Sequence, residues 1–459
     1  MKHYYNYKKK IFSIIELKKI YDEMFNSQID IPQFIGNEKL FSGIKHSIYP
    51  PHDNKKIIGY WHEGSEKDII NAINYSLSVQ KDWLNLSFKE RISIFLKVVD
   101  LIYGPYRDKL NASTMIGQSK NIFQSERDSS CKLRDDLKNH IDFAKKIYKK
   151  KNLIPLNYKG FVVAITQFNF SFVEIPYWIV IMGNVVLWKP SEMQFLTANV
   201  LMEIFQIAGI PDGIINLLLI NIKKITNVGL THTNFGGVTF KGPIKDYKII
   251  LKKIKKYIFK YKTYPMFLGK TIGKNFLLVH SSYNSKKVST AILAGAFEYQ
   301  GQKSSSISIA YIPKKLWKNK LKKILIEKIL SLKIGSPRNF SNFITSVIDK
   351  ISFLKIKLYI EKSSSDKKSN IIIGGKCDSS KGFFITPTVI ETNNPYYFFE
   401  EIYSPVITIF LYEESNWKNI LFLIKNSNKF ITGSIFCIDK SIISSVKKKL
   451  YNLNINFHY

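Results

Sequence analysis

Hydrophobic and polar positions divide the chain into a helical first third followed by alternating units. Residues 1–60 are mixed and poorly periodic. From Ser65 the pattern sharpens: Ser65-Glu66-Lys67-Asp68 offers a helix cap, and Ile69, Ala72, Ile73 and Leu77 keep helical spacing up to Trp83. Ser87 and Glu90 form a capping-box pair that opens a second helix through Ile92, Phe95, Leu96, Val99 and Ile102. A longer helical stretch runs from Ser125 to Tyr148 and ends in a lysine run. Beyond it, buried-strand runs at Gly160–Thr166, Asn184–Leu187, Ile214–Ile220 and Gly237–Phe240 alternate with helical segments. These segments lie at Glu192–Ala208, stopped by Gly209 and Pro211, and near Lys245–Phe259. The alternation resumes with a strand at Phe276–Val279 and a helix at Lys287–Phe297. Strands alternating with helices predict parallel sheets of the dinucleotide-binding kind in two α/β domains joined near Pro265–Gly273. The Lys/Ser patch Lys362–Lys368 reads as a surface loop.

Composition changes this picture little, and charge only after inspection. The 459 residues are 45% hydrophobic and 23% charged, which excludes wholesale disorder. The formal charge is +34, yet five of the 69 basic residues are arginines, leaving 64 lysines. A surface selected to grip phosphates or base edges favours the rigid guanidinium fork. Lysine excess beside abundant Ile, Asn, Tyr and Phe points instead to a coding bias, so no nucleic-acid partner is expected; a basic nucleic-acid binder stays as an alternative resting on net charge alone. Cys131, Cys377 and Cys437 are too few and too scattered for a disulfide framework or a zinc site, and no metal is expected. The apolar run Ile175–Trp188 is broken by Asn184 and is shorter than the ~18 residues a membrane helix needs. The expectation is a reducing, cytoplasmic setting with no membrane partner.

Several motifs carry a resemblance. Gly160-Phe-Val-Val-Ala-Ile-Thr-Gln-Phe-Asn-Phe170, Asn184-Val-Val-Leu-Trp-Lys-Pro-Ser191, Phe297-Glu-Tyr-Gln-Gly-Gln-Lys-Ser304 and Glu400-Glu-Ile-Tyr-Ser-Pro-Val406 stand in order along the chain. Together they resemble the oxyanion turn, cofactor strand, nucleophile loop and cofactor-ribose motif of aldehyde dehydrogenases. Lys303, Gly374-Gly-Lys-Cys377 and Met115-Ile-Gly-Gln-Ser-Lys120 are similar to the 1-pyrroline-5-carboxylate (glutamate semialdehyde) dehydrogenase branch. The resemblance implies a Rossmann-type cofactor domain over residues 1–125 and 159–269 and a helix with a shortened oligomerisation arm over 126–158. It places an α/β catalytic domain at 270–459, incomplete at its C-terminus. It further implies NAD as cofactor, with NADP left open, a small-molecule aldehyde substrate, and family oligomers whose assembly the short arm puts in question.

Residue by residue, the resemblance gives Asn169 to the oxyanion, with Phe168 on the cofactor side and Phe170 on the substrate side; an asparagine pinning its own turn is the structural alternative. Lys189 and Glu192 match the adenosine-ribose pair, or else a solvated helix cap. Glu401 matches the carboxylate on the nicotinamide ribose, or else an exposed loop residue. Gly242 keeps a close backbone approach to the cofactor diphosphate, although Pro243 removes an N–H and Lys241 can act there only as a point charge. The resemblance gives Lys303 to substrate binding and sets Ser305 beside the substrate carboxylate, where Ser305 is equally a turn residue.

Two catalytic positions have changed type. The nucleophile position holds Ser304 in place of cysteine, and the general-base position holds Lys270 in place of glutamate. A thiol near pKa ~8.5 gives way to a hydroxyl nearer ~15.7, a difference of about 10 kcal/mol in ionisation. No histidine lies in this loop to activate a serine, and a cationic lysine accepts no proton. The chain stops at Ile455-Asn-Phe-His-Tyr459, which resembles the start of the family's aldehyde-anchoring loop. Two readings stand: NAD-dependent oxidation of glutamate semialdehyde to glutamate, and a non-catalytic relative that still binds nucleotide.

Overall fold

The computed structural model describes residues 11–149, 160–169, 175–271, 273–394, 402–427 and 430–458. The chain forms two compact units, one of residues 1–50 and 55–272 and one of residues 51–54 and 273–459.

The first unit is built on a seven-stranded sheet. Its five parallel strands are Phe161–Ile165, Val185–Lys189, Ile215–Leu217, Phe235–Gly242 and Met266–Thr271. Numbered along the chain from one to five, they lie in the order 5-4-1-2-3, with Gln33–Ile35 and Glu38–Leu40 added antiparallel beyond the third. This is a doubly wound sheet whose order reverses between Phe161–Ile165 and Phe235–Gly242. All five side chains of Phe161–Ile165 are buried, as a central strand covered on both faces requires.

Both capping pairs do what their spacing predicts. Ser65 and Asp68 cap Glu66–Asn85, and Ser87 and Glu90 cap Phe88–Tyr103, each by reciprocal hydrogen bonds. The first of these helices is anchored to the sheet by polar side chains as well as by Ile69, Ala72 and Ile73. Ser76 donates to Gly213 O (2.9 Å), Gln80 to Gly160 O (3.1 Å) and Trp83 Nε1 to Val180 O (2.8 Å). Arg91 is buried and donates from Nε to Ile181 O (2.8 Å). Arg107, Arg127 and Arg134 pair with Glu126, Asp128 and Asp135. Four of the five arginines therefore serve the fold itself. The predicted helix at Ser125–Tyr148 is continuous through a π-helical segment, Glu126–Lys132, into Leu133–Lys149. The shortened arm lies outside the described residues.

In the second unit a seven-stranded sheet runs Ser369–Ile373, Thr388–Thr392, Val406–Tyr412, Ile307–Pro313, Lys274–Val279, Phe430–Phe436, Asn454–His458. All neighbours are parallel except the first pair. Period-2 alternation splits its apolar residues into two cores. Leu277, Val279, Ala310, Ile312, Ile407 and Ile409 pack with Ile292, Trp317 and Leu325 on one face. Phe276, Leu278, Tyr311, Phe410 and Tyr412 pack with Ile420, Ile424 and Val446 on the other.

Three readings of the sequence are corrected. A helix occupies Ile11–Asn26, where no periodicity was assigned, and buries Leu17, Tyr21 and Met24 along one stripe. Met266–Thr271, read as part of the join, is the fifth parallel strand; it lies at the sheet edge with Leu268–Lys270 exposed, so it lacks an apolar signature. The Lys/Ser patch does not begin a loop: Lys362–Ser365 is the last turn of a helix, Lys350–Ser365, held by buried Phe353, Ile356 and Ile360. Among the described residues no helix is long and apolar enough to cross a membrane.

Candidate functional site

In the first unit, side chains singled out from sequence gather at the carboxyl ends of the parallel strands. The strand Phe161–Ile165 runs out through Thr166 and Gln167 into a turn at Phe168 and Asn169, in which Asn169 is buried. A buried polar relay fixes this exit. Trp188 Nε1 donates to Thr166 Oγ1 (3.1 Å), which donates to Gln194 Oε1 (3.1 Å); the same oxygen accepts from Ser191 N–H (3.3 Å). The relay ties the Asn169 turn to the strand end carrying Lys189 and to the helical turn opening at Glu192. Lys189 is half-buried, and its desolvation pulls the ammonium below the ordinary lysine range, with Glu192 and Asp246 opposing the shift. Glu192 is exposed.

Across the switch point, Phe235–Gly242 ends in Lys241 and Gly242, and a helix, Ile244–Tyr257, follows Pro243. A Cβ at Gly242 would meet the Phe240 ring at 2.7 Å, so glycine keeps this strand end slim. The hydroxyl of Thr239, three residues earlier, is buried and makes no hydrogen bond among the described residues. Lys241 is buried, and its lateral partner on the edge strand is Lys270, which is exposed. Asn169, Lys189, Glu192, Gly242 and Lys270 thus share one end of one sheet.

In the second unit the loop carrying Ser304, matched from sequence to the nucleophile position, sits between a helix, Ser285–Phe297, and the strand Ile307–Pro313. The helix breaks into three successive left-handed residues, Tyr299 (φ 52°), Gln300 (φ 52°) and Gly301 (φ 66°). Two of these are not glycine, so tertiary contacts must hold the turn. Tyr299 and Gln300 are fully buried, Gln300 hydrogen-bonds Thr345 (2.8 Å), and Gln302 Oε1 accepts from Ile348 N–H (2.9 Å). Asn275 then pins the loop: its Nδ2 donates to Ser304 O (2.7 Å) and Ser306 O (3.0 Å), while its Oδ1 accepts from Thr432. Ser304 is half-buried and Ser305 exposed. Among the described residues nothing hydrogen-bonds the Ser304 hydroxyl. The Lys303 ammonium is ion-paired with Glu298 at 3.2 Å.

Phe170 and Glu401 lie outside the described residues. Three supports were missed from sequence: Asn275, Gln302 and the Thr166–Gln194 relay. Gly301 was the only composition cue to the left-handed turn, and Tyr299 and Gln300 carry none.

Comparison with known proteins follows the same residues. The sequence profile of the aldehyde dehydrogenase family matches residues 42–453. A probable delta-1-pyrroline-5-carboxylate dehydrogenase of Schizosaccharomyces pombe is 35% identical over 450 residues, covering 94% of this chain and 82% of that protein. The mitochondrial delta-1-pyrroline-5-carboxylate dehydrogenase of Dictyostelium discoideum is 35% identical over 464 residues, covering 96% and 82%. Among solved structures, the NAD-bound delta-pyrroline-5-carboxylate dehydrogenase of Mycobacterium tuberculosis superposes with a TM-score of 0.92 at 30% identity. That match covers 97% of this chain and 85% of the other.

Proposed function

The chain belongs to the aldehyde dehydrogenase family, and from that premise we propose a nucleotide-binding member of the 1-pyrroline-5-carboxylate dehydrogenase branch that binds NAD in its first unit and is severely impaired in oxidising glutamate semialdehyde to glutamate. One observation carries the reading: the position matched to the nucleophile holds a serine, Ser304, in a loop without a histidine to take its proton.

The first unit, with its doubly wound sheet, is the cofactor-binding part; the second carries the nucleophile loop. The residues present suit a dinucleotide on the adenosine side. Lys189 donates and Glu192 accepts, the set a ribose diol needs, and they stand at the end of a parallel strand beside the switch point. The fit is poorer at the diphosphate, where Gly242 permits close approach but Pro243 offers no N–H. NAD, when bound, supplies the hydride acceptor. Asn169 is read as the side-chain amide that would donate to an oxyanion, a role that loses its purpose without a thiolate to create that oxyanion. Lys270 presents three donors and no acceptor where water activation requires a base.

The test uses the full chain, glutamate semialdehyde and NADH absorbance. The native protein is expected to give no measurable turnover. Ser304→Cys should give a burst of about one NADH per chain without sustained turnover, because thioester hydrolysis still lacks its base. Ser304→Cys combined with Lys270→Glu should turn over continuously. Sustained turnover by the native chain would overturn the reading.

A further inference from the structure

Sixty-four lysines in 459 residues would place about three in any stretch of twenty, yet residues 243–262 hold eight against a single acid, Asp246. Most of them lie on the helix Ile244–Tyr257, whose buried residues Ile250 and Ile254 pack it onto the strands Phe235–Gly242 and Met266–Thr271. At about 100° per residue, Lys245, Lys248, Lys252, Lys255 and Lys256 fall on the opposite side, and all five are exposed. Ile249 and Leu251, also exposed, flank that row. Past the helix the backbone is pinned. Tyr261 donates to Leu230 O (2.6 Å) and its ring meets Phe235 at 5.2 Å, while Lys262 N–H donates to Thr233 O (3.0 Å). On this fixed segment Phe259 and Tyr264 point into solvent, 97% and 92% exposed. Among the described residues the eight lysines make no ion pair. Lys253 donates to Asn227 Oδ1, and Lys256 and Lys260 lie over the Tyr257 ring at 5.6 and 5.2 Å. Asp246 acts on Lys189 at the neighbouring strand end.

Two aromatic rings left in water forgo the burial that would stabilise them, and a row of like charges repels itself. One kind of surface relieves both. An anionic bilayer attracts each lysine through its surface potential and takes rings and aliphatic flanks into the boundary between headgroups and acyl chains. Lysine stems lie along such a boundary with the ammonium kept in water. We propose that residues 244–264 form a peripheral docking face for a membrane surface rich in anionic lipid, with Lys248, Lys252 and Lys255 as the electrostatic contact and Phe259 and Tyr264 as the inserted anchors. Such contact needs no spanning helix, the feature on which the expectation of no membrane partner rested. A second copy fits worse, because a twofold contact sets this face against itself with eight lysines opposing eight. Nucleic acid also fits worse: the segment has no arginine to fork a phosphate, and Ile249 and Leu251 find no partner along a phosphate backbone.

Flotation of the full chain with lipid vesicles tests this. The native protein should float with phosphatidylcholine vesicles containing about 30% phosphatidylserine and stay behind with phosphatidylcholine alone. Raising the salt from about 0.1 M to about 0.5 M should release most of it. Lys248→Glu with Lys252→Glu and Lys255→Glu should weaken binding about tenfold or more. Phe259→Ala with Tyr264→Ala should weaken it about tenfold at unchanged charge. Lys447→Glu with Lys448→Glu and Lys449→Glu makes the same change in net charge at the end of another helix, and should leave binding within about twofold. All eight substituted side chains are exposed, so circular dichroism spectra and thermal midpoints should match those of the native chain. No flotation of the native chain on anionic vesicles would overturn the proposal. An equal loss from the Lys447–Lys449 change would overturn it as well, since net charge alone would then suffice. Unaltered affinity in Phe259→Ala with Tyr264→Ala would do the same, and equal binding of polyuridylate would then make the face a polyanion site. A chain that does not float, and whose mass in sedimentation falls on Phe259→Ala with Tyr264→Ala, would assign the face to a second copy instead.

Discussion

Replacing Lys120 by methionine should destabilise the first unit by about 3 kcal/mol at neutral pH. Lys120 is 1% exposed and its Nζ lies 2.9 Å from Asp128 Oδ2. Burial by itself would push the Asp128 carboxyl up; Lys120 and then Arg127 outweigh it and hold the group below the ordinary aspartate range. Removing one partner of a buried pair costs about 3–5 kcal/mol because the other charge stays behind desolvated. The lower end applies here, since Arg127 Nε still donates to Asp128 Oδ1 at 3.1 Å. A carboxyl depressed in the folded state contributes stability that is fully present above its unfolded pKa of ~3.9 and disappears as pH falls through the lower folded value. The difference between native and Lys120→Met should therefore be constant from about pH 5 to 7 and shrink below about pH 4. Lys120→Met with Asp128→Leu should recover part of the loss and not all of it, because Arg127 then loses its carboxylate partner. Urea unfolding followed by circular dichroism measures these quantities, fitted transition by transition because two units need not unfold in one step. A loss under about 1 kcal/mol at pH 7, in the range of an exposed pair, or a loss that grows in acid, would refute the argument.

Two further substitutions address the nucleophile loop. Gly301→Ala places a Cβ 1.9 Å from Ser404 O at a residue with φ of 66°, and should lower the unfolding free energy by about 2–3 kcal/mol; an unchanged thermal midpoint would show that the turn relaxes freely. Asn275→Ala strands the carbonyls of Ser304 and Ser306, costing about 2–4 kcal/mol. Its amides over residues 302–306 should exchange hydrogen faster, and unaltered exchange there would deny Asn275 its organising role.

What the sequence disclosed about the fold follows from where each signal originates. Ser65 with Asp68 and Ser87 with Glu90 are local devices, complete within four residues, and both formed as read. Central strands such as Phe161–Ile165 announce themselves because burial on both faces leaves an unbroken apolar run. The edge strand Met266–Thr271 is held by pairing with Phe235–Gly242 and buries too little of itself to write a pattern. Lys362–Ser365 misled for the complementary reason. Its own residues favour a loop, but the stripe of Phe353, Ile356 and Ile360 carries the helix past them.

The site shows the same division between chemistry and support. Ser304 and Lys270 were singled out because a nucleophile and a base are defined by functional groups, and a change of type is visible in one letter. The geometry around them is written elsewhere in the chain. Asn275 is 29 residues from Ser304 and 157 from Thr432, and those contacts exist only after three strands have assembled. Tyr299 and Gln300 hold left-handed conformations that their side chains disfavour, so the stabilising information resides in Thr345 and the surrounding core. This support holds the loop that carries Ser304. Such support implies that Ser304→Cys enters an organised loop, so failure of that substitution to give a burst would place the defect at the cofactor end, where Pro243, Lys241 and Lys270 stand.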